Sequence, residues 1–141
     1  MPSIFTRIID GDLPGRFVWR DGICVAFLSI APLHHGHTLV VPIEEVDHWI
    51  DLDAETAVHL MRVAHVIGRA QQSAFRPLRV GLVIAGLEVP HTHLHVVPID
   101  GMRDLDFTHA DHSPRPEDLD TAADSLRAGL RAMGLSEVPD S

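Results

Sequence analysis

The chain has 141 residues, 11 of them arginine and none lysine, with 20 acidic residues and 11 histidines, giving a formal net charge of −9 with histidine neutral. At 45% apolar and 22% charged it can bury a core as one domain, which excludes a disordered chain and a disulfide-stapled miniprotein. The acidic balance argues against nucleic acid as a partner, since phosphate-backbone binding rests on clustered Lys and Arg, and the lack of lysine excludes Schiff-base chemistry.

In chain order, Ser3 to Asp10 sets Ile4, Phe5, Ile8 and Ile9 at helical spacing, and Gly11 to Gly15 ends that helix. The N-terminus lacks the apolar stretch of a signal peptide, and no window reaches the ~20 apolar residues of a membrane span. The expectation is a cytoplasmic protein with no membrane partner. Two β-type runs follow, Phe17 to Arg20 and Ile23 to Ile30, joined by the hairpin signal Asp21-Gly22. The single cysteine, Cys24, reads as a small hydrophobe buried in the second run, and nothing demands an oxidising compartment. A third strand, His37 to Val41, lies between Gly36 and Pro42.

Asp53 offers a partial N-cap to a long helix running through Ala57, Leu60, Met61, Ala64, Ile67, Gly68, Gln71, Ala74 and Phe75, ended before Pro77. Strands Arg79 to Ala85 and His91 to Val97 come next. Prolines at 98, 114 and 116 then break any regular pattern. From Pro116 the residues Leu119, Ala122, Ala123, Leu126, Leu130 and Met133 mark a helix to about 133, with acids in its first turn, arginines late and Gly134 beyond its end. This order predicts an α+β fold with a five-stranded, mostly antiparallel sheet, a long helix, a short N-terminal helix and a C-terminal tail helix. Charge divides the chain: residues 100–141 carry net −6 and residues 1–99 net −3. Residues 1–99 are therefore read as the main domain, and 100–141 as an acidic extension with one helix packed on it.

The chemistry concentrates in Pro90-His91-Thr92-His93-Leu94-His95-Val96-Val97-Pro98. In a strand, alternate residues share a face, so His91, His93 and His95 point one way while Thr92, Leu94 and Val96 point into the core. Such a face can be a solvated strand, a metal site or an acid-base and nucleophilic site. Same-face Cα atoms lie roughly 6.6 Å apart, so a straight strand cannot bring all three imidazoles to one ion, although two of them with His37 or His35 could. As a chemical site, neutral imidazole can act as nucleophile, base or acid near physiological pH. Phosphorus is a natural electrophile for it, because phosphoryl transfer depends on positioning and on stabilising charge.

The run His91, Thr92, His93, Leu94, His95, Val96, Val97 resembles the signature of the histidine triad (HIT) family, His-φ-His-φ-His-φ-φ with φ apolar, and Thr92 is its one imperfect φ. The resemblance extends over residues 3 to 98 and includes Gly36-His37-Thr38-Leu39-Val40-Val41-Pro42 and Gly86-Leu87-Glu88-Val89-Pro90-His91. It implies a nucleotide hydrolase or transferase acting on an α-phosphate, of the nucleoside phosphoramidate or dinucleoside polyphosphate type. His93 would attack phosphorus to form a covalent nucleotidyl-histidine, His95 would contact the phosphate or leaving-group side, and His91 would orient His93, partly through its carbonyl. His37 matches the family's fourth histidine. Ile4, Phe5, Ile8, Phe27 and Ile30 match positions that wall the base pocket. The resemblance further implies a homodimer, no cofactor and no metal in the chemistry. Alternatives are a noncatalytic nucleotide-binding or regulatory protein and a metal-binding histidine face.

Several positions depart from the family pattern. Ser3 and Thr6 stand where many bacterial relatives carry the cysteines of a structural zinc site, and Glu45 stands where a further histidine is common; hydroxyls are poor zinc ligands, so no structural zinc is expected. Ser29 replaces an aspartate that holds ribose hydroxyls. The phosphate loop before the triad is shortened to Gly86-Leu87-Glu88, with Leu87 in place of a glutamine, and Arg103 or Arg115 of the tail are candidate replacement donors.

Overall fold

Five strands form one antiparallel sheet: β1 (Phe17–Arg20), β2 (Cys24–Leu28), β3 (Thr38–Pro42), β4 (Arg79–Val83) and β5 (Leu94–Ile99), in the spatial order β1-β2-β3-β5-β4. The computed structural model describes residues 1–141. Alternation along the strands gives the sheet two apolar faces. Cys24, Ala26, Leu28, Val40, Leu94 and Val96 join the main core beneath two helices, α2 (Ala54–Phe75) and α3 (Pro116–Ala132). Phe17, Val25, Phe27, Leu39 and Val41 face the other way and pack with Phe5 of the short helix α1 (Ile4–Ile9).

The helices follow their sequence signals. Ser3 caps α1 by accepting a hydrogen bond from the Thr6 amide. Asp53 occupies the N-cap of α2 without a side-chain bond, as a partial cap should, and Arg76, at φ +50°, ends the helix in the left-handed conformation ahead of Pro77. Along α2, Leu60, Val63, Ala64, Ile67, Ala70 and Gln71 are buried at three- and four-residue spacing. On α3, Ala122, Ala123, Leu126 and Leu130 enter that same core, so the acidic tail contributes to it. Arg127 Nε donates to the Phe17 carbonyl at 2.8 Å, and the Arg20 amide donates to the Glu137 carbonyl at 2.8 Å. The tail thus covers the outer edge of β1.

One expectation holds and two need correction. First, the hairpin between β1 and β2 forms as expected; Gly22 has no positive φ, and the turn is built on the side chain of Asp21. Its Oδ1 accepts from the Ile23 and Cys24 amides, and its Oδ2 from Trp19 Nε1, with His59 of α2 at 2.7 Å. Burial opposes ionisation of Asp21, yet these hydrogen bonds outweigh it and lower the pKa to about 2. Second, β2 and β4 are shorter than expected and stop at Leu28 and Val83. Third, β5 begins at Leu94, so His91, Thr92 and His93 lie ahead of the sheet and only His95 belongs to a strand. Thr92 is buried, and its amide and hydroxyl both donate to the Val46 carbonyl, at 2.7 and 2.8 Å. No helix is long and apolar enough to cross a membrane.

Candidate active site

His37, His93 and His95 meet on the α1 side of the sheet, and His91 is buried behind Phe5. His95 pairs across the ladder with Leu39 and so faces away from Leu94 and Val96. The His93 and His95 ring centres are 4.8 Å apart, and those of His37 and His95 5.2 Å. His37 precedes β3 at a turn where Gly36 has φ +91°, and a Cβ on Gly36 would overlap the Phe75 ring. The buried Gln71 amide ties this turn to β5 by donating to the carbonyls of Gly36 and Val96.

Hydrogen-bond partners fix which nitrogen of each neutral ring carries its proton. The Leu33 amide donates to His37 Nδ1 at 3.0 Å, so His37 is protonated at Nε2 and donates to His95 Nδ1 at 3.0 Å. His95 then carries its proton at Nε2. His93 has the opposite tautomer, because its Nδ1 donates to the His91 carbonyl at 2.7 Å and leaves Nε2 as a bare lone pair. His91 donates from Nε2 to the Pro42 carbonyl at 2.8 Å and accepts at Nδ1 from the Ser3 hydroxyl at 2.6 Å. The expected row of three imidazoles on one open face is therefore revised: His91 is fully buried with both nitrogens engaged away from the other two.

Burial favours the neutral form of all four. It lowers the pKa of His37 to about 3, with His95 and then His93 adding repulsion, and that of His95 to about 4, with His93 adding repulsion. Burial also lowers His91, against the bond to Pro42 and the charge of Glu45, and lowers His93, against the bond to the His91 carbonyl. In the unfolded chain these groups titrate near ~6.5. Below that pH the unfolded state binds more protons, so their contribution to stability is complete above it and lost as pH falls toward the folded values. The unfolding free energy from urea titration, and with it the midpoint, is expected to fall between pH 6.5 and 5, before carboxylates titrate, the free energy by up to about 1.4 kcal/mol per pH unit for each histidine. A midpoint independent of pH across that window contradicts this.

Two cavities open on His93. One, of about 170 Å³, is lined by Gly86, Leu87, Glu88, His93, His95 and Phe107. The other, of about 260 Å³, adds Thr92, Ile84, Asp47, His48 and Trp49 to Gly86, Leu87 and His93. Phe5 is buried with its ring edge-on to His93, 4.8 Å between centres, and touches Phe27. Ile8 packs behind it. Ile4 and Ile30 are exposed, and they, Phe27 and Ser29 line neither cavity; the Ser29 hydroxyl accepts from the Ala31 amide instead. Arg103 and Arg115 line neither cavity, and Arg115 pairs with Glu117.

Phe107, which sequence reasoning missed, comes from a 3₁₀ turn of the tail and stands edge-on to His95 at 4.9 Å. It is the one aromatic residue after Phe75, the only signal that could have marked it. At the positions that correspond to zinc ligands, the residues bind one another. Glu45 Oε1 accepts from the Ser3 amide at 2.6 Å and the Thr6 hydroxyl at 2.7 Å, while Ser3 occupies His91 Nδ1. Two hydroxyls whose protons are committed in this way do not fit a structural zinc.

The family profile described as HIT domain matches residues 10–102. The protein hit of Bacillus subtilis is 33% identical over 136 residues, covering 90% of this chain and 93% of that protein. An adenosine 5′-monophosphoramidase of Schizosaccharomyces pombe is 30% identical over 99 residues, covering 70% of this chain and 74% of that protein. Among solved structures, a zinc-bound histidine triad family protein from Mycobacterium smegmatis superposes with a TM-score of 0.80 at 28% identity, covering 93% of this chain and 94% of that one. With the profile spanning the sheet through β5 and a relative matched over nearly its whole length, this chain belongs to the HIT domain family.

Proposed function

We propose that the protein is a nucleotide hydrolase or transferase that acts on an α-phosphate, of the phosphoramidate or dinucleoside polyphosphate type, with His93 as nucleophile. The observation that carries this is the set of ring contacts, Leu33 amide to His37 Nδ1, His37 Nε2 to His95 Nδ1 and His93 Nδ1 to the His91 carbonyl, which assigns a bare Nε2 to His93 and a protonated Nε2 to His95. His93 Nε2 forms a bond to phosphorus as the bond from phosphorus to the leaving group breaks; the leaving group takes that electron pair and, where it is an amine, a proton from solvent. His95 Nε2–H hydrogen-bonds the leaving-group side and His37 fixes its orientation. Water then attacks phosphorus: its oxygen stays on the phosphate, one of its protons goes to solvent, and the electron pair of the broken P–N bond returns to Nε2, which restores the neutral His93 imidazole. Developing negative charge on the phosphate meets N–H donors rather than a cation. Phe5 and Ile8 back the site, and Gly86, Leu87 and Glu88 border it. Similarity to an adenosine 5′-monophosphoramidase favours a nucleoside phosphoramidate as the first substrate to try.

The test mixes the protein briefly with adenosine 5′-phosphoramidate or, separately, a diadenosine polyphosphate, quenches without acid, and weighs the intact protein. A transient gain of one adenylyl group is expected. Absence of both adduct and product with either compound overturns the proposal.

The protein also functions as a homodimer in this proposal. The β1 edge is covered by the tail, whereas β4 is an edge strand whose Leu82 is exposed, beside a groove lined by Met61, Ala64, Gly68, Val80 and Val96. An uncovered apolar edge of this kind invites strand pairing. Light scattering is expected to give twice the chain mass at micromolar concentration, and a monomer there refutes the dimer.

A further inference from the structure

Resting on His93 as the nucleophile, the geometry points to a set of positioning residues, Ser3, Glu45 and Thr92, that hold the His91 carbonyl against His93 where the sheet does not reach. Residues 91–93 precede β5, and the ladder with β3 ends at the Val40 and Leu94 pair. The carbonyl that sets the His93 tautomer therefore belongs to a stretch without strand partners. Two neighbouring residues of the loop after β3 supply what the ladder does not.

Glu45 anchors one side. Its Oε1 holds the Ser3 amide and the Thr6 hydroxyl, and the Ser3 hydroxyl donates to His91 Nδ1 at 2.6 Å while accepting from the Thr6 amide at 3.0 Å. With Nε2 of the same ring bound to the Pro42 carbonyl, the His91 ring is fixed at both nitrogens. Val46 anchors the other side, its carbonyl receiving both the amide and the hydroxyl of Thr92. The peptide unit whose oxygen accepts from His93 Nδ1 lies between His91 and Thr92, so it is clamped from both ends. A threonine where the family signature has an apolar residue is thus a hydrogen-bonding element of the clamp. Small displacements of a reacting group are costly, on the order of 10²-fold for an ångström, and a clamp on the main chain limits them.

The experiment compares Ser3→Ala and Thr92→Val with Ser3→Thr and Thr92→Ser, which retain the hydroxyls, measuring kcat and KM on adenosine 5′-phosphoramidate and nitrogen-15 histidine spectra. Thr92→Val restores the residue type of the signature, so a purely structural role predicts no loss. We expect kcat to fall roughly tenfold in Ser3→Ala and severalfold in Thr92→Val, with KM within about twofold. The His93 Nδ1–H resonance should shift or exchange faster in both, and the hydroxyl-retaining variants should restore it. Unchanged kcat together with an unchanged His93 resonance in both variants overturns the proposal. If Ser3→Ala does not fold, Thr92→Val decides alone. If wild type turns over no nucleotide, the functional proposal has failed by itself, and an unmoved His93 resonance in Thr92→Val is then what overturns the clamp.

Discussion

Replacing His93 with alanine is expected to lower turnover of adenosine 5′-phosphoramidate by on the order of 10⁴ or more, as removal of a covalent nucleophile does elsewhere. The adenylyl adduct should vanish with it. His95→Ala is expected to behave differently. It removes a hydrogen-bond donor to developing charge, worth about 10²–10³ in rate, but leaves the His93 Nε2 lone pair in place, so adduct should still accumulate, slowly. The two variants therefore separate nucleophile from donor by intact mass as well as by rate. His93 is nearly buried and packs on Phe5, so unfolding midpoints of both variants are needed beside the kinetics. A His93→Ala enzyme within tenfold of wild type would contradict the assignment.

The second large effect concerns stability. Leu126 of α3 is completely buried in the core formed by α2 and the sheet. Truncating such a leucine removes its transfer free energy and leaves a cavity, so Leu126→Ala is expected to cost about 2–5 kcal/mol. Urea unfolding followed through the buried Trp19 should show the midpoint fall with little change in slope. Leu78→Ala, at a side chain that is 75% exposed, should stay within about 0.5 kcal/mol of wild type. A Leu126→Ala loss below 1 kcal/mol, on the scale set for buried leucines, would mean that the tail helix does not share the core.

Periodicity made the elements legible. Apolar residues at three- and four-residue intervals located α2 and α3 to within a few positions, and β-type runs set between turn residues located all five strands. The start of β5 was not legible, because a His-x-His-x-His pattern reads the same whether or not a neighbouring strand continues beside it. Only the register shows β3 ending its pairing with Leu94, which takes His91 and His93 out of the sheet. The Asp21-Gly22 pair signalled a hairpin correctly but not its turn, since the carboxylate of Asp21, by accepting two amides, replaces the positive-φ glycine that a tighter turn would use. Phe107 escaped notice for the converse reason: it lies in a polar, proline-bounded segment with no period at all, and only the folding of the tail back over the sheet brings it to His95. The family resemblance puts Ser3, Thr6 and Glu45 at the positions of one site, but only the structure shows the chain of hydrogen bonds that joins Glu45 through Ser3 to His91.

The opposed tautomers have a source that side-chain comparison does not see. His93 is oriented by a carbonyl oxygen and His37 by an amide hydrogen, both from the main chain. The direction in which protons can move through the cluster is thus written in peptide groups, one accepting at the His91 end and one donating at the Leu33 end. A substitution can delete an imidazole, but it cannot turn a carbonyl into a donor. The polarity of the cluster therefore rests on the backbone path: the N–H of His95 and the lone pair of His93 keep their places for as long as those two peptide groups stay where they are.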